Sequence, residues 1–212
     1  MRRTTMATMT AALMLSAAPV AAQDAEESAE PAAPQRAEAT AFGISMEFPG
    51  EWRVSQPEGL RVSAITTADG EPVMETTALM ANGAGGTWCD VDAYLALDAP
   101  LEGHAYAYAT YLQQNESADA TMVVADTEIP AGPAYRIEVF NQATGRIRAM
   151  YLFDGPAAED GTLNRYLFTC AAREVTEPFW EAIAESAQVF APVPVEAEEE
   201  TETAEEEPAS DG

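Results

Sequence analysis

Pro133-Ala134-Tyr135-Arg136-Ile137-Glu138-Val139-Phe140-Asn141-Gln142, then Ala143-Thr144-Gly145, then Arg146-Ile147-Arg148-Ala149-Met150-Tyr151-Leu152-Phe153 is the stretch on which the fold reading turns. Two runs rich in β-branched and aromatic residues flank a short segment ending in glycine, the pattern of a β-hairpin. A three-residue loop over Ala143-Thr144-Gly145, with Gly145 in the left-handed region, predicts that Tyr135 faces Phe153, Ile137 faces Tyr151, Val139 faces Ala149 and Asn141 faces Ile147. That pairing gathers the apolar side chains on one face and puts Arg136, Arg146 and Arg148 together on the other, beside Glu138.

Upstream of the hairpin, Met122 to Ile129 reads as another strand, and a helix is expected from His104 or Ala105 to about Asn115, with Ala105, Tyr108, Ala109 and Leu112 on one face. Asp90 can cap a short helix through Leu97. Nearer the front, Phe42 to Phe48 alternates with period two and stops at Pro49-Gly50. Leu60 to Thr66 and Met74 to Met80 flank an Asp69-Gly70 turn signal. Downstream, Asp154 to Gly161 reads as an acidic loop and Leu163 to Cys170 as a strand. Thr176 then caps a helix with Phe179, Ile183, Ala187 and Phe190 at helical spacing, a stripe that Trp180 and Ala184 widen. The expected class is α+β, a largely antiparallel sheet with helices packed on it.

The ends of the chain differ from its middle. Arg2 and Arg3 precede an uncharged stretch from Thr4 through Ala18, and Val20-Ala21-Ala22 follows. This is the layout of a secretory signal peptide over residues 1–22, with cleavage expected between Ala22 and Gln23. Its apolar part falls short of the roughly 20 residues that span a bilayer, so no membrane span is expected in the mature form. No cysteine near the cleavage point offers a lipid anchor, and Thr4-Thr5-Met6 after the arginines favours the general secretory route over the twin-arginine one. Residues 23–40 carry no large apolar side chain and read as a disordered acidic Pro/Ala tether. Residues 193–212 read as a disordered acidic tail, in which nine carboxylates meet no basic residue. Between them, residues 41–192 have the size of a single globular domain.

The formal net charge is -26, and loss of a leader that carries Arg2, Arg3 and no acid makes it more negative still. Such a chain is repelled by nucleic acid and by anionic membrane surfaces, so neither is expected as a partner. Its ten basic residues are all arginine, which removes lysine-based Schiff-base and general-base chemistry. The glycines of Ala81-Asn82-Gly83-Ala84-Gly85-Gly86-Thr87 lack the following Lys-Ser/Thr of a phosphate-binding loop. One histidine, His104, with no Gly-x-Ser-x-Gly turn, leaves the usual hydrolytic sites incomplete, and His-rich metal sites are short of ligands. No cofactor and no metal site are expected. Cys89 and Cys170 are the only cysteines, without CxxC spacing. In an oxidising compartment such a pair reads as a structural disulfide, and the expected location is periplasmic or secreted.

The order of features resembles the PsbP/Mog1-like superfamily, which includes small exported bacterial proteins. The matching pieces are Phe42-Gly43-Ile44-Ser45-Met46-Glu47-Phe48-Pro49-Gly50-Glu51-Trp52-Arg53-Val54, the strand Gly132-Pro133-Ala134-Tyr135-Arg136-Ile137-Glu138, and Arg165-Tyr166-Leu167-Phe168-Thr169-Cys170 followed by the helix from Phe179 to Ala187. The resemblance implies an α/β/α sandwich and protein binding or assembly more often than catalysis. It carries no shared catalytic motif, and the chain departs from the lipoprotein members in lacking an anchoring cysteine.

Three functions follow as expectations. The first is a non-catalytic periplasmic module that binds an envelope protein through its sheet edge or a loop-helix surface. The second is a carrier of a small apolar or anionic ligand in a pocket between sheet and helices, lined by Tyr106, Tyr108, Tyr111 or Trp88. The third is a hydrolase. Arg136, Arg146 and Arg148 are the candidate binding residues, because an unpaired cationic patch on an anionic protein suits a carboxylate or phosphate on a partner. The competing reading neutralises them with Glu138 and with acids of the covering helix or tail.

Overall fold

The computed structural model describes residues 32–57, 59–66, 72–97, 99–159, 161, 163–173 and 179–193. The expected signal peptide, the first part of the expected tether, Asp69-Gly70, Thr176 and nearly all of the expected acidic tail lie outside these residues. The described residues fall in one compact unit. Among them, no helix is long and apolar enough to cross a membrane.

The chain runs β1 (Gln35–Ala39), β2 (Ile44–Phe48), β3 (Arg53–Ser55), β4 (Arg61–Thr66), β5 (Pro72–Asn82), β6 (Trp88–Leu97), α1 (Leu101–Asn115), β7 (Ala120–Ile129), β8 (Gly132–Asn141), β9 (Arg146–Ala157), β10 (Leu163–Arg173), α2 (Phe179–Glu185) and β11 (Gln188–Val189). The large sheet has the order β3-β5-β6-β10-β9-β8-β7, with β4 also paired to β5. A small sheet has the order β1-β2-β11. Every pairing is antiparallel. The class is therefore α+β, mostly antiparallel sheet with two α-helices among the described residues.

The large sheet is covered on both faces. On one, α1 packs over β8 and β9, and Ala105 and Leu112 meet Ile137, Val139, Met150, Leu152 and Leu167. On the other, the small sheet and α2 bring Ile44, Met46, Phe48, Trp180 and Ile183 against Val91, Ala149, Phe153, Tyr166 and Phe168.

Two-sided burial explains why the expected hairpin register is off by one. Tyr135 pairs with Leu152, Ile137 with Met150, Val139 with Arg148 and Asn141 with Arg146. The loop therefore has four residues, Gln142 to Gly145, with Gly145 left-handed at φ 64°. A slip of one residue is forbidden when a strand hides only one face. Met150 and Leu152 on one side of β9 are as buried as Ala149 and Phe153 on the other, so burial does not penalise the slip. Ile137 and Val139 are buried, as expected, and Tyr135 is half-buried.

Other expectations are corrected in the same terms. Gln35–Ala39 is a strand, not tether, because an edge strand needs backbone partners more than large side chains. Ala39 is buried, and the Gln35 amide donates to the Trp52 carbonyl oxygen at 2.6 Å. Trp88–Leu97 is a strand, not an Asp90-capped helix. Its alternation of Cys89, Val91 and Ala93 with Trp88, Asp90, Asp92 and Tyr94 has the period of a sheet. The acidic loop begins later than expected, since β9 extends through Ala157. The last helix ends at Glu185. There Ser186 Oγ donates to the Ile183 carbonyl oxygen and accepts the Glu47 N–H, tying the helix end to β2.

Two local constraints position the layers. Gly43 has φ 74°, and a Cβ there would sit 2.2 Å from the Phe190 carbonyl oxygen, so only glycine allows β2 and the chain after β11 to approach. Arg165, fully buried, grips the Asp154 carboxylate through Nε at 2.5 Å and Nη2 at 3.2 Å. It also donates to the Ala99 carbonyl oxygen at 2.7 Å, fixing the start of α1 to the sheet.

Cys89 and Cys170 are directly opposed on β6 and β10, with Cα atoms 4.1 Å apart, and form a disulfide with a sequence separation of 81. The bond links two adjacent central strands through a long loop, where chain-entropy arguments give roughly 4 kcal/mol at most. Replacing both cysteines by alanine is expected to lower unfolding free energy by about 2–4 kcal/mol in urea titration, with the far-ultraviolet circular dichroism of the folded protein unchanged.

Candidate functional site

α1 covers β8 and β9 and reaches Tyr94 and Leu167, but beyond these the same face of β5, β6 and β10 carries polar side chains. Cross-strand partners share a face, so the strand registers define what stands there. One row runs Arg53, Asn82, Trp88, Ala171, Arg148 and Val139 across β3, β5, β6, β10, β9 and β8. The next row, toward the sheet end, places Arg173 directly against Arg146, which in turn pairs with Asn141. In the opposite direction come Met80, Asp90 and Thr169, then Thr77, Asp92 and Leu167, and then Glu75, Tyr94 and Arg165.

The three arginines expected to act together are divided. Arg136 pairs with Tyr151 and so lies on the α2 side, where it is held by Glu138 and, at 3.2 Å, by Glu181. The one-residue register shift moves β9 and not β8, so Arg136 is parted from the other two, and neutralisation by Glu138 applies to it alone. Arg146 and Arg148 remain on the α1 side. Arg148 is half-buried and ion-paired with Glu116 at the C-terminal end of α1. Arg146 is exposed, and neither it nor Arg53 or Arg173 has an ion pair among the described residues.

Beside Arg146 and Arg148 is a cavity of about 270 Å³ lined by Trp88, Arg146, Arg148, Asn141, Thr144, Val139 and Glu116. It combines an indole, the Arg146 guanidinium, unpaired among the described residues, the Arg148 guanidinium paired with Glu116, and the polar side chains of Asn141 and Thr144, so that Arg146 is the group suited to a small anion beside a flat or apolar one. Of the side chains expected to line a carrier pocket, Trp88 is there. Tyr106 and Tyr111 are exposed on the outside of α1.

Deeper along the face, burial perturbs the acids. The Asp90 carboxyl is pushed up to about 7 by burial and then by neighbouring Asp92, against the lowering effects of Arg61, a hydrogen bond with Thr169, and Arg148. Its Oδ1 is enclosed and has no hydrogen-bond partner among the described residues. Asp92 is also raised, chiefly by burial, while Thr77 Oγ1 at 2.7 Å and Arg61 Nη2 at 2.8 Å donate to it. Glu75 accepts from Arg61 Nε at 2.7 Å. Burial pushes the Tyr108 hydroxyl up to about 12. Glu75 and Asp92 are thus engaged, and Asp90 Oδ1 does not reach solvent. His104 lies elsewhere, buried at the start of α1, where Arg165 Nη1 donates to its Nδ1 at 3.3 Å. Burial and then Arg165 lower it to about 4, so it is neutral at physiological pH. Among the described residues no three potential metal ligands converge.

Arg53 and Arg173 are additions that the sequence reading missed. They lie far apart in sequence, and only the antiparallel ladder through β5, β6, β10 and β9 brings them to one face. The available signal was the alternation of Trp88, Asp90, Asp92 and Tyr94, which places four polar or aromatic residues on one side of a strand.

No protein-family model matches the chain, and no curated protein matches it.

Asp90 gives a pH signature with a definite sign. The unfolded carboxyl releases its proton near 4 and the folded one near 7, so between these values the folded state binds more protons. Asp90 therefore makes stability fall as pH rises across that window and adds no slope above it. Asp90→Asn is expected to flatten this part of the profile and to raise stability above neutral pH by on the order of 2 kcal/mol, as read from urea midpoints across a pH series.

Proposed function

We propose that this is an exported, non-catalytic binding module of the cell envelope, which recognises an anionic group on a partner protein through the Trp88, Arg146 and Arg148 cavity with Arg173 and Arg53 around it. The observation carrying this reading is the apposition of Arg146 and Arg173 on adjacent strands. Like charges directly opposed across a sheet are unfavourable, and a chain with 36 acids against 10 arginines has ample means to neutralise them. Instead Arg146, with Arg173 opposed to it on the next strand, lines a cavity that an aromatic ring also lines.

The disulfide is consistent with an oxidising compartment, which fits a periplasmic or secreted location. The engaged state of Glu75 and Asp92, the enclosure of Asp90 Oδ1 and the burial of His104 support binding over catalysis. The two-sided covering of the sheet is compatible with membership of the PsbP/Mog1-like superfamily, which we retain as part of the proposal.

Trp88 supplies the test. Titration of the full chain with a short oligoglutamate peptide at low salt is expected to change its fluorescence, because Trp52 and Trp180 are buried in the opposite layer. Arg146→Ala with Arg173→Ala should weaken binding by about tenfold or more, and Arg136→Ala should leave it unchanged. Equal effects of both replacements, or no response at Trp88, would remove the anion-binding reading.

A carrier of a small apolar ligand is the second reading, favoured by one observation. A cavity of about 510 Å³ lies between β2 and α2, lined mainly by Phe48, Pro49, Phe179, Ala182, Ile183 and Pro34. That volume is within the range of small-molecule sites. Ala182→Trp is expected to fill it, and native mass spectrometry of the purified protein with and without this change would detect an apolar ligand lost on filling.

A further inference from the structure

β7 closes the large sheet on one side and pairs only with β8 among the described strands. At ten residues it is a long edge, and long open edges invite pairing with another chain unless they are blunted by charge, proline or brevity. The opposite side of the sheet is blunted in those ways: β3 has three residues, and β4 carries Arg61. β7 is protected over only half its length. Asp126 and Glu128 guard the second half, whereas Ala120-Thr121-Met122-Val123-Val124-Ala125 carries no charge. Beside that open half, Val123 is 61% exposed and Phe140 is 41% exposed. Phe140 pairs with Thr121 and Val123 with Glu138, so the two apolar side chains are diagonal neighbours on one face.

We infer that the Ala120–Ala125 half of β7 is a strand-addition site for an extended segment of a partner protein. That segment is β-branched or apolar at its centre and carries arginine or lysine where it passes Asp119 and Asp126. Main-chain hydrogen bonds to the open edge supply affinity, and Val123 with Phe140 supplies the apolar contact. Charge decides against a second copy as the occupant. Two β7 strands paired antiparallel about Val123 would place Asp126 and Glu128 of each opposite Ala120 and Ala118 of the other on one face, and Asp119 opposite Thr127 on the other face. Each end of the joint would then gather three carboxylates and no basic side chain. A foreign strand with basic ends meets the same acids favourably.

The test uses the full chain and a short synthetic peptide of alternating valine and threonine with arginine at both ends, compared with the same peptide ending in glutamate. Hydrogen exchange and backbone amide shifts are expected to report protection of outward amides within Ala120–Ala125 on addition of the arginine peptide. The glutamate peptide should bind weaker by about tenfold or more at low salt. Val123→Asp and Phe140→Ser, both at exposed positions, should each weaken binding of the arginine peptide by about tenfold, with circular dichroism unchanged. Absence of binding, equal binding of both peptides, or protection outside β7 would overturn the inference. Protection that appears without peptide as protein concentration rises would overturn it in favour of self-association.

Discussion

The structure depends on hiding both faces of its central strands. β9 and β10 put Met150, Leu152 and Leu167 under α1, and Ala149, Phe153, Tyr166 and Phe168 under the small sheet and α2. Each covering layer buries apolar area that the other cannot reach, and burial on the order of 25 cal/mol per Å² makes this the main favourable contribution to folding. The disulfide sits between β6 and β10 within the buried layer on the α2 side. It therefore reinforces strands that packing already holds, and it joins the front half of the domain to the back half.

How far α1 extends across its face then determines where polar chemistry can appear. Arg165 is the anchor: its guanidinium is buried, paired with Asp154, and spends further donors on the carbonyl oxygens that precede the helix. A buried charge is tolerated only when paired and hydrogen-bonded, and this arrangement meets that condition while fixing the helix over β8 and β9. Beyond its cover, the same face of β4, β5, β6, β10 and β9 carries the polar strip from Arg61 and Asp92 to Trp88 and Arg148. The polar strip and the arginine cavity follow from the reach of one helix.

Most strands and both helices were legible because each declares itself locally, by period-two alternation or by apolar residues at helical spacing. The exceptions have physical causes. β1 lacks large side chains, since its place in the small sheet is set by hydrogen bonds and by the small Ala39. The Asp90 segment reads as a helix start because aspartate is a common cap, although Cys89, Val91 and Ala93 alternate as a strand requires. The hairpin register failed by one residue because the burial rule presumes a single hidden face. That one slip had a consequence for the site: it left Arg136 with Glu138 and Glu181, and it moved Arg146 and Arg148 to the α1 side. Arg53 and Arg173 had no local sign, since their meeting with Trp88 is made by pairing across four strands, β3, β5, β6 and β10.

Charge separates the arginines into two kinds. Arg36, Arg61, Arg136, Arg148 and Arg165 each hold a carboxylate of a neighbouring strand, of their own strand, or of a packed helix or its end, and thereby tie layers and edges together. Arg53, Arg146 and Arg173 have no such partner among the described residues, and they stand at one end of one face. In a chain with this excess of acid, random placement would leave few cations unpaired, and pairing is favoured wherever geometry allows it. The unpaired set occurs where α1 ends and Trp88 lines a cavity. The same division holds for the carboxylates: those of Glu75 and Asp92 are engaged by Arg61, and those of Asp126 and Glu128 line the protected half of the β7 edge. Charge placement across the molecule thus marks two regions by contrast, one where cations lack acids and one where an edge lacks charge.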